Sequence, residues 1–148
     1  MKTALKILVA ERNRHVREFL RRELFADYHE VILASRVADI HQAMRYHGPF
    51  DLIVLDPDLP ELESLFLIRK LLHQINDTPV ILHTCSSSAD YSVFSGPRVS
   101  VVEKNGDSIE RIQRIITIIQ AWTDPVGHLE HQQHNKPTGH QGDERTNH

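Results

Sequence analysis

The sequence predicts an α/β protein with a doubly wound parallel sheet, and three observations predict it. Short apolar runs of strand length recur along the chain (LKILVA, EVILA, LIVL, PVILH and VSVV). The segments between them carry apolar residues at helical spacing or turn signals. Strands and helices alternate so closely that a parallel sheet covered on both faces is required, because right-handed crossovers permit little else.

The elements follow in order. Leu5 to Ala10 is the first strand, with Glu11 and Arg12 just past its end. Val16, Phe19, Leu20 and Leu24 then make one face of an amphipathic helix reaching about residue 25, with Arg14, Arg17, Arg21 and Arg22 on its other faces. Glu30 to Ala34 is the second strand, and Ser35 is placed to cap a helix that runs to about His47 and stops at Gly48-Pro49.

Leu52 to Leu55 is a continuous apolar run, the pattern of a strand buried on both faces. It ends on Asp56, and Pro57 and Pro60 leave that carboxylate in a loop. A leucine-rich helix, read as largely covered, is expected over Leu62 to Gln74, ending at Asn76-Asp77. Pro79 to His83 is the fourth strand and presents Thr84 at its exit. Residues 85–98 allow a short helix between loops, Val99 to Val102 is the fifth strand, and the last helix runs from Asp107 or Ser108 to about Trp122. Cys85 reads as a small buried filler.

A chain of 148 residues, 40% apolar and 25% charged, suits one domain with a real core. No apolar run approaches the roughly 18 residues of a membrane-spanning helix. The N-terminus is charged too early for a signal peptide, and the single cysteine suits a reducing, cytoplasmic setting. A net charge of −3 argues against wholesale nucleic-acid binding. Beyond Trp122 apolar periodicity is lost, so residues 123–148, with five of the 11 histidines, read as a flexible tail. There His128, His131 and His134 recur every third residue, a spacing that would bring them near one helix face, although a solvated tail needs no ligand.

In open α/β sheets, ligands and chemistry sit at the carboxyl ends of the strands. Glu11, Arg12, Asp56, Thr84 and Lys104 all belong to that edge. A carboxylate beside a hydroxyl and an ammonium group suits binding or transfer of a compact anion such as phosphoryl.

With those residues in view, the sequence resembles the receiver domains of bacterial two-component response regulators. The resemblance spans residues 5–122 and is carried by KILVAERNRHVREFL (6–20), DLIVLDPDLPELESLFLIRKL (51–71), TPVILHT (78–84) and EKN (103–105). It implies a flavodoxin-like five-stranded sheet in the order 2-1-3-4-5, a receiver domain over residues 1–122, and a signalling module that is not an enzyme. It also implies that Asp56 accepts a phosphoryl group from a histidine kinase or phosphotransfer protein, that Thr84 bonds the phosphoryl oxygen, and that Lys104 pairs with it. Mg²⁺ would be held by Glu11, Asp56 and the backbone carbonyl of Asp58.

The departures are specific. Arg12 replaces the second acidic residue of the family's metal site, and an arginine does not ligate Mg²⁺. Val101 stands where receivers usually carry a switch aromatic, Asn105 stands for the proline after the lysine, and Pro57, Glu61 and Glu63 make the loop after Asp56 atypical.

Two functions therefore stand side by side. One is a stand-alone response regulator phosphorylated on Asp56, and the other a phosphorylation-independent pseudo-receiver in which Arg12, paired with Asp56 or Glu11, replaces the metal. An unrelated enzyme has little support, since no phosphate-binding glycine loop or nucleophile elbow is present. The last helix carries an apolar stripe at Ile109, Ile112, Ile116 and Ile119, with Ile115, Ile118 and Trp122 on a neighbouring sector around Arg111. That width predicts a homodimer or partner surface.

Overall fold

A computed structural model describes residues 2–85 and 90–123. The histidine-rich tail proposed for residues 123–148, including His128, His131 and His134, falls outside the described residues from residue 124 onward. The strands are β1 (Lys6–Ala10), β2 (Glu30–Ala34), β3 (Leu52–Leu55), β4 (Val80–Thr84) and β5 (Val99–Glu103). The helices are α1 (Arg14–Ala26), α2 (Val37–His47), α3 (Leu65–Gln74) and α4 (Ser108–Thr123). All strand pairs are parallel, in the order β2-β1-β3-β4-β5, as expected.

The two-residue period of a strand sorts the apolar runs onto two cores. Leu8, Ile53, Leu55 and Leu82 face one side, where Ile40 of α2 and Ile68 of α3 close over them. Ile7, Val9, Val54 and Ile81 face the other, against Leu20 and Leu24 of α1 and Ile112, Ile116 and Ile119 of α4. His83, two residues beyond Ile81 on β4, belongs by the same alternation to the α1/α4 side.

Several local expectations are corrected. The α2 N-cap is Arg36, which makes no side-chain capping bond. Ser35 instead donates its backbone N–H and its hydroxyl to Asp39 Oδ2, at 3.1 and 3.3 Å. The first-turn amide of Val37 is satisfied from outside the helix, by Glu61 Oε1 at 3.0 Å.

Helix α3 begins later than its leucines suggest. Ser64 caps it by accepting from Leu67 N, while Leu62 is buried in the preceding loop. Leu65 and Phe66 are exposed, so α3 is not a largely covered helix. The short helix expected within residues 85–98 is a 3-10 turn at Tyr91–Phe94, with residues 86–89 outside the described set. Cys85 is exposed rather than buried filler, because it lies beyond the last β4 residue. No described helix is long and apolar enough to cross a membrane.

Candidate functional site

The site is built by parallel hydrogen bonding that runs one residue past the strands. Glu11 N donates to Ala34 O at 3.0 Å, Asp56 N to Ala10 O at 2.8 Å, and Lys104 N to Thr84 O at 2.7 Å. Each functional residue therefore leaves the sheet with its backbone already fixed. The register pairs Ala10 with both Ala34 and Leu55, and Thr84 with Glu103, so these exits fall along one edge.

Asp56 is 1% exposed, and two backbone amides orient its carboxylate. Oδ1 accepts from Asp58 N at 2.9 Å, an Asx-type turn, and Oδ2 accepts from Arg12 N at 3.1 Å. Lys104 Nζ reaches in from the β5–α4 turn, 2.9 Å from Glu11 Oε2 and 3.5 Å from Asp56 Oδ2. Glu11 Oε2 also accepts from Asn13 N at 3.0 Å. One ammonium thus bridges two buried carboxylates.

Burial raises the Glu11 carboxyl to about 6, partly offset by its bonds from Lys104 and Asn13 and assisted by the Asp56 charge. His83 lies behind it, with Nδ1 4.0 Å from Glu11 Oε1 and both ring nitrogens buried without a hydrogen-bond partner among the described residues. Burial, with the Lys104 charge adding to it, lowers His83 to about 4. At neutral pH His83 is therefore an uncharged neighbour of Glu11.

The structure brings together Glu11, Asp56 and Lys104, with Thr84 buried at the same edge as the last residue of β4. It does not bring Arg12 with them. The Arg12 backbone bonds Asp56, but its side chain is exposed and forms no ion pair among the described residues. The expected Arg12 pair with Asp56 or Glu11 is thus replaced by the Lys104 bridge.

Arg17 tightens that turn, with Nη1 donating to Glu11 O at 2.8 Å. The Asp58 side chain accepts from Tyr91 OH at 3.3 Å, with Cys85 Sγ 3.9 Å away. Burial, with the Asp58 charge and hydrogen bond adding to it, holds the Tyr91 hydroxyl above its ordinary range.

Sequence reasoning missed His83 and Tyr91. His83 was signalled only by a polar residue closing an apolar run, and Tyr91 by nothing local.

The fit to Mg²⁺ is poor on donor chemistry. The ion requires near-octahedral oxygen ligation. Here a cation occupies the second acidic position, Glu11 Oε2 is held by an ammonium group, and both Asp56 oxygens accept backbone N–H. No group of three or more His, Cys, Asp or Glu residues among those described is arranged to hold a metal ion.

No protein-family model matches the sequence, and no curated protein matches it. Solved structures do. The receiver domain of the Francisella response regulator 1452 superposes with a TM-score of 0.66 at 22% identity, over 80% of this chain and 98% of that one. The chain folds as a response regulator receiver domain.

Among other receivers, the response regulator TrrA of Thermotoga maritima, solved with Mg²⁺ and BeF, matches with a TM-score of 0.57 at 25% identity, over 77% of this chain and 97% of that one. TrrA has also been solved in complex with the histidine kinase ThkA, and there it matches at 24% identity with a TM-score of 0.56, over 77% and 97% of the two chains.

Proposed function

We propose that this receiver takes a phosphoryl group on Asp56 from the phosphohistidine of a histidine kinase or phosphotransfer protein and passes the signal on through protein contacts. The observation that carries this reading is the Asp56 carboxylate itself. It is oriented by two backbone amides and has an ammonium group 3.5 Å away.

In the transfer an Asp56 oxygen forms the new P–O bond. The P–N bond of the donor breaks, and its electron pair stays on the imidazole. Lys104, already between the two carboxylates, would shift from Glu11 to the phosphoryl oxygens, where a charge-assisted bond forms as the anion develops. The Thr84 hydroxyl, at the end of β4 on the same edge, would bond a phosphoryl oxygen. TrrA, with its Mg²⁺–BeF and kinase complexes, supports the class of partner.

The pseudo-receiver reading is favoured by one observation, the 2.9 Å Lys104–Glu11 pair, which already engages the ammonium group that a phosphoryl anion would need. Incubation with phosphoramidate followed by intact-mass measurement decides between the two readings. One added phosphoryl group in the wild type, absent in Asp56→Asn, is the expected result. An unmodified wild type would leave the pseudo-receiver.

For output, Ile118 and Trp122 on α4 are 51% and 63% exposed, while Ile112, Ile116 and Ile119 on the same helix are buried. We assign the exposed sector to self-association. The NtrC4 receiver domain, another structural match, is a dimer when activated by beryllofluoride.

A further inference from the structure

We propose that the pocket accommodates its phosphoryl anion without a divalent cation, with Lys104 and Arg12 together supplying the positive charge. This rests on the Asp56 reading above and concerns how that same site is neutralised.

Arg12 is placed for the task by its backbone. Its N–H is bonded to Asp56 Oδ2, so its Cα is fixed beside the acceptor carboxylate while its guanidinium stays exposed and unpaired among the described residues. The Arg17 guanidinium is committed to the carbonyls of Glu11 and Arg12, at 2.8 and 3.4 Å, where it holds the turn that presents Arg12. A guanidinium offers a planar fork of donors that matches phosphoryl oxygens.

The charge balance agrees with the geometry. The resting pocket holds two carboxylates against the Lys104 ammonium, leaving one negative charge uncompensated. Converting the Asp56 carboxylate to an acyl phosphate adds one further negative charge. Arg12, folding over the pocket mouth, cancels that increment and restores the resting balance. A divalent cation would instead have to enter beside the Lys104 ammonium, facing two carboxylates that Lys104 already bridges and an arginine where a third acidic ligand would stand, and two like charges a few Å apart repel strongly inside a protein.

With phosphoramidate as donor, an Asp56 oxygen bonds to phosphorus, the P–N bond breaks, and the already protonated nitrogen departs as ammonia. No metal is needed for the balance of atoms or charge.

The test uses the full chain with phosphoramidate, once in EDTA and once with Mg²⁺, read by intact mass. Calorimetric Mg²⁺ titrations of wild type and Arg12→Asp run alongside. The wild type is expected to reach the same phosphorylated fraction in both buffers and to bind no Mg²⁺ at millimolar concentration. Arg12→Ala should react about tenfold more slowly with an unchanged melting temperature, and Arg12→Asp should gain Mg²⁺ binding. Phosphorylation only with Mg²⁺, millimolar Mg²⁺ binding by the wild type, or no gain in Arg12→Asp overturns the inference. Failure to phosphorylate in both buffers removes the Asp56 reading along with it.

Discussion

Lys104 Nζ lies 2.9 Å from Glu11 Oε2, joining the end of β5 to the end of β1 across 93 residues of sequence. The pair is largely buried, with side-chain exposures of 15% and 2%. Removing the lysine leaves two carboxylates in a low-dielectric edge with the backbone amides of Arg12, Asn13 and Asp58 as their remaining hydrogen-bond donors among the described residues. Lys104→Met is therefore expected to lose about 3–5 kcal/mol of unfolding free energy at neutral pH. The loss should be smaller near pH 5, where Glu11 can take up a proton. Urea titration at the two pH values measures it, and an equal loss at both would contradict the assignment.

The pH dependence has two opposed components. Glu11, raised from 4.5 to about 6, contributes stability that is full below about pH 4.5 and is lost as pH rises through about 6. His83, lowered from 6.5 to about 4, contributes stability that is full above about pH 6.5 and is lost as pH falls through about 4. Relative to wild type, Glu11→Gln should abolish the loss between pH 4.5 and 6. His83→Leu should abolish the acid-side loss, and should add about 1 kcal/mol at neutral pH by removing two unpartnered buried nitrogens. Thermal melts across pH 4–7 report both slopes, and a wild-type slope retained in either variant would contradict its assignment.

Glu61 closes the N-terminus of α2 from the loop after Asp56, through the Val37 N–H bond. Glu61→Ala is expected to cost about 1 kcal/mol, the usual scale for losing a helix cap. Chemical denaturation should show it, with Glu63→Ala, on an exposed residue of the same loop, as the neutral comparison.

The exposed sector of α4 predicts association. Ile118→Glu should shift a concentration-dependent dimer to monomer in sedimentation at tens of micromolar, leaving the melting temperature of the monomer unchanged because Ile118 faces outward. A wild type that sediments as a monomer over the same range would remove the self-association assignment.

Much of this molecule was legible in its residues. LIVL reads as a strand buried on both faces because nothing in it can face water, and β3 is indeed buried at all four positions. The residues of the candidate site were legible at the strand exits for the same reason, since a polar residue directly after such a run has to lie at the sheet edge.

The misreadings share one physical cause, competition between neighbours for a single place. Ser35 is a good capping residue, but Asp39 engages it and Glu61 takes the Val37 amide. Arg12 was expected to fill the place of the lost carboxylate, but Lys104, 93 positions from Glu11, reaches that residue while Arg12 contributes only its backbone. Cys85, beside a buried threonine, lies where the chain has already left the sheet. His83 acquires its environment from Glu11 and Lys104, which sequence adjacency does not reveal.

Chemical location of the phosphoryl group tests the central claim most directly. An acyl phosphate on an aspartate is cleaved by borohydride, which reduces the carboxyl carbon and leaves homoserine at the acceptor position. After treatment with phosphoramidate and borohydride, peptide mass mapping is predicted to find homoserine at position 56 alone, and none in a sample that received borohydride without the phosphoryl donor. An unreduced Asp56, or reduction at Glu11 or Asp58 in its place, would contradict the account.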